Sequence, residues 1–155
     1  MNNAYFDIHI DTNTLSFENE LITGGIWVEI GNESFPEENW NDFTVIILTW
    51  WHRALLNLIT VSKGKASESF DFMDGPYTVK FTKQSINQIR IQGIKTTDYG
   101  KVVCESSDTL INIKSALVDS TKLILDEAHK KNWSSNDLIV LIRLSKELER
   151  VCVKL

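Results

Sequence analysis

Residues 6–11 read Phe-Asp-Ile-His-Ile-Asp, and this alternation decides the fold that the chain is predicted to adopt. The three apolar residues fall on one side of an extended segment, and the polar residues fall on the other. A period of two is typical of strands with one buried and one solvated face, as in antiparallel sheets. The same period returns at 15–21 and 26–30, so the first 30 residues predict an antiparallel meander.

The alternation also assigns a direction to each side chain in these strands. Polar clusters at 11–14 and the pair Gly24-Gly25 predict the two turns that separate the strands. The residues expected to face the core are Leu15, Phe17, Leu21, Ile26, Val28 and Ile30, and those expected to face solvent are Ser16, Glu18, Glu20, Trp27 and Glu29.

A predicted helix over 41–60 follows a polar loop. Its apolar residues are not confined to one stripe, so most of its sides must be covered. Asn39 or Asn41 can cap it, and carboxylates nearby suit its positive N-terminal end. Three aromatic residues in or beside it are expected in the core, namely Phe43, Trp50 and Trp51.

The second half of the chain predicts more strands and then two helices. After a surface loop at 61–69, alternating segments near 70–73, 77–81, 89–91 and 102–105 predict strands, with a turn at 97–100 before the last. Ser107 or Asp108 is expected to cap a helix to about Lys131, and 134–137 to cap the final one. We therefore predict one α+β domain over 1–155, with an antiparallel sheet of about six or seven strands packed against three helices.

Charge is distributed unevenly along this chain. The first Lys or Arg is Arg53, and nine carboxylates precede it, so residues 1–52 carry about −9 and the remainder about +4 of the net −5. A surface of one sign attracts a partner of the other sign, so the split predicts a basic partner. An acidic chain is a poor binder of nucleic acid, because phosphate-binding domains present basic surfaces.

No catalytic or metal-binding motif stands out. Asp7, His9 and Asp11 share a strand face, but neighbours are about 7 Å apart and the sequence places no second His near them. The chain has no phosphate-binding glycine motif and no nucleophile motif, and its two cysteines predict reduced thiols. We predict no catalytic residue, metal or cofactor, no secretory signal and no membrane span, hence a cytoplasmic protein.

The period-two alternation predicts that many of these acids lie on one surface of the protein. Five acids are expected on the outward face of the first three strands, beside Trp27, and three more in the loop before the helix; these candidate partner-binding residues are Asp7, Asp11, Glu18, Glu20, Trp27, Glu29, Glu33, Glu37 and Glu38. Two interpretations remain open. In one, Lys80 and Arg90 join the same sheet and neutralise the acids; in the other, the acids stay unpaired and receive a basic protein.

Two stretches carry a resemblance: Trp40-Asn-Asp-Phe leading to Trp50-Trp51, and Phe72-Met-Asp-Gly-Pro-Tyr77. They resemble small bacterial proteins, some of which look like immunity proteins of polymorphic or contact-dependent toxin systems. The similarity covers about 35–81, and its motifs are structural. The resemblance implies a cytosolic binder without catalytic activity that occludes a toxin domain.

The leading functional hypothesis is therefore an intracellular binding protein that neutralises a basic toxin, with Trp27 or Trp40 filling a pocket of the partner. One alternative is a small enzyme or ligand-binding protein with a cleft near His52, Arg53 and Asp74. A second alternative is a structural subunit that self-associates through a sheet edge or the C-terminal helix.

Overall fold

The fold is α+β with three helices, as predicted, but the strands form two sheets rather than one. The computed structural model describes residues 5–60, 66–97 and 99–153. Within them, each sheet is antiparallel and has four strands. Residues 61–65 of the predicted loop at 61–69, and Asp98 of the predicted turn at 97–100, lie outside the described residues.

The first sheet is built entirely from the acidic part of the chain. It consists of β1 (Phe6–Glu18), β2 (Leu21–Ile30), β3 (Glu33–Phe35) and β4 (Asn41–Asp42). Strand β1 pairs with one edge of β2, and the short strands β3 and β4 pair with the other edge.

The second sheet and the helices come from the rest of the chain. The sheet contains, in spatial order, β5 (Ser67–Asp71), β6 (Tyr77–Ser85), β7 (Gln88–Lys95) and β8 (Lys101–Asp108). Helix α1 (Thr44–Thr60) contacts β5, β2 and both other helices, whereas α2 (Leu110–Lys130) lies against β1, and α3 (Asn136–Arg150) packs on α1 and α2.

The predicted meander is in fact one long hairpin. Residues 11–14 and Gly24-Gly25, expected as two turns, lie opposite each other and form an irregularity in the ladder. The Thr14 hydroxyl accepts the Gly25 N–H at 2.8 Å, so the polar residues satisfy the bulged backbone instead of reversing the chain. The true turn is Asn19-Glu20, both with positive φ, as a two-residue hairpin turn of type I′ requires.

The position of the hairpin turn, rather than the bulge, reverses the predicted side of Leu21. Across the turn Glu18 pairs with Leu21, and Leu21 is exposed although the alternation predicted it inside. Ile22 is buried in its place. A Cβ on Gly24 would lie 2.7 Å from Leu15 Cδ2, so glycine is needed there for the two strands to approach.

Helix α1 is covered on most of its sides, as its sequence predicts. Trp51 is fully buried, its ring stacks on Phe70 at 5.1 Å, and its indole N–H donates to the Asp71 carbonyl. The expectation that Trp50 is core was wrong, because it is 38% exposed, whereas Thr49 is buried and donates to the Val45 carbonyl. The helix begins at Thr44 rather than near 41, since Asn41–Asp42 pairs with β2 as β4.

A buried carboxylate joins the two sheets and α2. Asp108, at the end of β8, accepts the backbone N–H of Phe6 at 2.9 Å with one oxygen. Its other oxygen accepts from the Thr109 backbone and the Asn112 side chain. The N-cap residue of α2 is Thr109 rather than the predicted Ser107 or Asp108. The Thr109 side chain accepts the Asn112 backbone N–H. Asp108 therefore fixes where β1 and α2 meet β8.

His52 lies inside the helical layer. It is completely buried on α1, and its Nδ1 lies 2.7 Å from the Leu48 carbonyl oxygen. Its Nε2 has no hydrogen-bond partner among the described residues. Burial lowers the pKa of His52 to about 4, against the opposing effect of the Leu48 carbonyl, so the ring is neutral at physiological pH.

Replacing Asp108 with Ala should destabilise the fold by about 3 kcal/mol, because it leaves the buried Phe6 N–H without an acceptor and removes a charge-assisted contact. Urea unfolding followed by circular dichroism measures this loss. Asp126→Ala, an exposed position on α2, is the control and should change the free energy of unfolding by less than about 0.5 kcal/mol. Equal effects in the two variants would contradict the role given to Asp108.

His52 should make the protein less stable in acid. The unfolded state binds a proton below pH 6.5 and the folded state only below about 4, so stability is lost as the pH falls between these values and levels off below them. The loss is roughly 3 kcal/mol. In His52→Gln, the difference in unfolding free energy between pH 7 and pH 4.5 should shrink accordingly. An unchanged difference in His52→Gln would show that His52 is not the group responsible.

Candidate protein-binding interface

The outer face of the first sheet carries four of the predicted acids, and Asp7, Asp11 and Glu29 lie together at one end of it. Antiparallel register sets Asp7 directly opposite Glu29, and Asp11 opposite Gly25. Between these pairs lie His9 and Trp27, also directly opposite each other. We call these five side chains, Asp7, His9, Asp11, Trp27 and Glu29, the acidic face. The sequence alternation predicted each of them to point outward, and the register confirms this arrangement.

Two rings occupy the centre of the acidic face. His9 and Trp27 stack with their centroids 5.6 Å apart and their planes inclined by 21°. His9 Nε2 lies 2.9 Å from Glu29 Oε1, which is the distance of an ion pair, but without the alignment of a hydrogen bond. We therefore regard this contact as electrostatic. The stack holds Trp27 half-buried in one orientation, leaving part of its surface to a partner.

Asp7 and Glu29 form a like-charged cross-strand pair. Opposite residues on one sheet face have Cβ atoms about 5 Å apart, and like charges at this spacing destabilise the sheet. Tyr5 donates its hydroxyl to Glu29 Oε2 at 3.1 Å. Burial, the bond to Glu29 and the charges of Glu29 and Asp7 together raise the pKa of Tyr5, which stays a neutral donor. Tyr5 lies two residues before Asp7, so extending the period-two alternation by one step would have predicted that Tyr5 lies on the same outward face.

The structure excludes neutralisation of the acidic face by its own sheet. Strands β1 to β4 contain no Lys or Arg, and Lys80 and Arg90 lie in the second sheet. Arg90 Nε is 2.6 Å from Glu105 Oε1 on the neighbouring strand β8, so its charge is already compensated. Within the part of the chain that the structure describes, none of the ion pairs joins a Lys or Arg to Asp7, Asp11 or Glu29. The first of the two interpretations is therefore wrong.

The remaining predicted acids lie elsewhere. Glu18 ends β1 and Glu20 is in the hairpin turn, roughly 20 Å along the strand from Asp11. Both are exposed. Glu18 lies opposite Leu21, which has the same parity on β2 as Trp27 and Glu29, so Glu18 is on the same side of the sheet as the acidic face but far along it. The outward side predicted for Glu18 is therefore confirmed, whereas Glu20 lies in the hairpin turn rather than on a strand.

The three acids predicted in the loop before α1, Glu33, Glu37 and Glu38, also lie outside the acidic face. Glu33, on β3, lies close enough to the second sheet for its charge to contribute to the raised pKa of Cys104. Burial is the larger cause, and the pKa of this thiol reaches about 11, so Cys104 is protonated and unreactive at neutral pH. Glu37 and Glu38 are exposed in the turn where the Glu37 carbonyl accepts the Trp40 N–H.

Trp40 is a packing residue rather than an anchor for a partner. Its ring meets Phe72 and Tyr77 edge to face, and its indole N–H donates to Asp42 Oδ2. Asp42 is 1% exposed and also accepts the backbone N–H groups of Phe43 and Asp74. This carboxylate thus joins β4, the start of α1 and the turn after β5.

Neither cleft found among the described residues is lined by His52, Arg53 or Asp74, the residues of the alternative site. His52 is fully buried, Arg53 is exposed on the next position of α1, and Asp74 is exposed in the turn after β5. Among the described residues, no group of three or more His, Cys, Asp or Glu side chains is placed to hold a metal ion. None of the helices described is long and apolar enough to cross a lipid bilayer.

Comparison with known protein families, curated proteins and solved structures finds no match to this chain.

Proposed function

We propose that the chain is an intracellular immunity protein that neutralises a basic toxin domain by covering its functional surface. The observation that supports this most directly is the charge of the first sheet. All four of its strands lack Lys and Arg, and its outer face presents Asp7, Asp11 and Glu29 around the half-buried Trp27. A surface of this kind complements a basic protein in both charge and contact chemistry.

The like-charged pair explains why a cationic partner would bind here. Asp7 and Glu29 repel each other across the strands, and a Lys or Arg placed between them would relieve that repulsion on binding. Part of the energetic cost of the acidic face in the free protein is then recovered in the complex. The remaining negative field would accelerate association, because oppositely charged surfaces steer diffusional encounter.

Trp27 supplies the apolar contact that charges alone do not. Tryptophan is among the residues that contribute most to protein interfaces, especially where neighbouring groups exclude water. His9 stacks on one side of its ring, with the ring centroids 5.6 Å apart. The ring is thus ordered before binding, which lowers the entropy lost in the complex. Inhibition would be steric and need no catalytic group.

Neutralising the acidic pair should weaken toxin capture. We expect Asp7→Asn combined with Glu29→Gln to lower the association rate by about tenfold at low salt, because two steering charges are removed. The matched control is Glu18→Gln with Glu20→Gln, which makes the same charge change at the hairpin tip. The first assay is co-expression with the product of the gene immediately upstream, scored by rescue from toxicity, and surface plasmon resonance then gives the rates. No rescue by the unmodified chain, or equal loss in both double variants, would contradict the proposal.

Truncating Trp27 should affect the lifetime of the complex rather than its formation. Trp27→Ala is expected to raise the dissociation rate by 30-fold or more, since an interface anchor contributes about 2 kcal/mol. Trp50→Ala, a partly exposed tryptophan on α1 outside the acidic face, should leave it unchanged. Thermal melting of both variants checks that the fold is retained. A complex equally stable with and without Trp27 would remove it from the interface.

A further inference from the structure

His9 lies at the centre of the acidic face, and histidine is the side chain type that gains or loses a proton between pH 5 and 8. Its ring stacks on Trp27, and its Nε2 atom is 2.9 Å from Glu29 Oε1. Nε2 is shielded from solvent and makes no hydrogen bond among the described residues. Tyr5, which donates to the other oxygen of Glu29, is a neutral donor. A proton on Nε2 would therefore lie beside the Glu29 carboxylate.

The charged groups around His9 on the first sheet are all acidic. Asp7 and Asp11 lie two residues before and after it on β1, and Glu29 lies on β2. On the far edge of β2, the connection between β3 and β4 carries two exposed carboxylates, Glu37 and Glu38. In the described part of the chain, none of these five acids forms an ion pair with a Lys or Arg. Protonation of His9 would thus add a positive charge to a surface that has no other.

Helix α2 contacts β1 next to His9 through an uncharged side chain. The Ser120 hydroxyl lies 3.4 Å from the Ile8 carbonyl oxygen. The nearest charged residues along α2, Asp119 and Lys122, line the groove between α2 and the residues after α3 instead. Near neutral pH, His9 is therefore the group whose protonation alters the charge of the acidic face.

A proton on His9 and a cation of the partner compete for the same carboxylate. A Lys or Arg that enters between Asp7 and Glu29 would lie close to the His9 ring, because His9 already touches Glu29. Two cations this close repel each other even at a protein surface. A partner that binds better to neutral His9 must expel its proton, and by linkage a rise in proton concentration weakens the complex.

We propose that His9 makes the acidic face sensitive to pH, so that binding of a basic partner releases a proton from His9 and weakens as the pH falls. This inference rests on the proposed function, because it assigns a regulation to the same surface. The carboxylates Asp7, Asp11 and Glu29 give the face a formal charge of −3, and a protonated His9 reduces it to −2. Acid would therefore weaken both the contact with Glu29 and the attraction that precedes it.

The test uses the full chain and hexa-arginine labelled with tetramethylrhodamine, whose arginines keep their charge over the whole pH range used. Fluorescence anisotropy at low ionic strength gives the affinity at pH 8 and at pH 5.5. For the unmodified chain the affinity should fall about fivefold or more between these values. In His9→Gln, which carries no charge at either pH, the fall should be less than about twofold. The control is His129→Gln in the last turn of α2, which should keep the full pH dependence.

A permanent charge at the same position provides a second variant. His9→Lys should bind hexa-arginine at pH 8 about as weakly as the unmodified chain does at pH 5.5, because lysine stays protonated at both values. Any effect of acid on folding, including that of His52, would appear equally in His9→Gln and so would not imitate this result.

Asp7→Asn combined with Glu29→Gln separates failure of this inference from failure of the proposed function. If that double variant binds hexa-arginine as well as the unmodified chain, the acidic face does not receive cations, and both proposals are wrong. If it binds weakly while His9→Gln keeps the full pH dependence, the acidic face stands and only the role of His9 is overturned.

Discussion

The buried carboxylate of Asp108 holds together parts of the chain that are about a hundred residues apart. It accepts the backbone N–H of Phe6, and through Thr109 and Asn112 it also fixes the start of α2. A carboxylate with only 3% exposure is stable in this position because each of its oxygens has a donor. The backbone bond from Tyr5 to the Ser107 carbonyl continues the same junction. Together with the packing of α1 on both sheets, this junction positions the first sheet on the second.

The contact between β1 and β8 at Asp108 keeps the cations of the second sheet away from the acidic face. Strand β1 meets β8 only at its first residues, so the two sheets remain separate over the rest of their length. The cations of β6 and β7 stay in their own sheet, where Arg90 pairs with Glu105. The acidic face consequently keeps its charge, and Asp7 faces Glu29 with no Lys or Arg of its own sheet between them. An unfavourable pair retained on a well-formed sheet is the physical basis of the proposed binding function.

Much of the fold was predictable from local patterns. The alternation at 6–11 correctly gave the inward side of β1, and the outward positions of Asp7, His9 and Asp11 follow from the same period. The unbroken apolar surface of α1 correctly predicted a helix covered on most sides. Ser135 caps α3 within the predicted capping segment. These features depend on hydrogen bonding and burial within a few residues, so short stretches of sequence suffice to specify them.

The errors arose where distant residues decide the outcome. Polar and glycine residues at 11–14 and 24–25 predict turns locally, but paired with each other they form a bulge within one hairpin. The chain reverses at Asn19-Glu20 instead, which leaves Leu21 on the exposed side. Burial of Asp42 and Asp108 depends on donors supplied from across the fold.

The sequence by itself determined the charge of the first sheet, because every strand in it precedes the first Lys or Arg. Only the tertiary structure decided that the described cations of β6 and β7 lie in another sheet, since strand partnership is a long-range property that composition and periodicity do not encode.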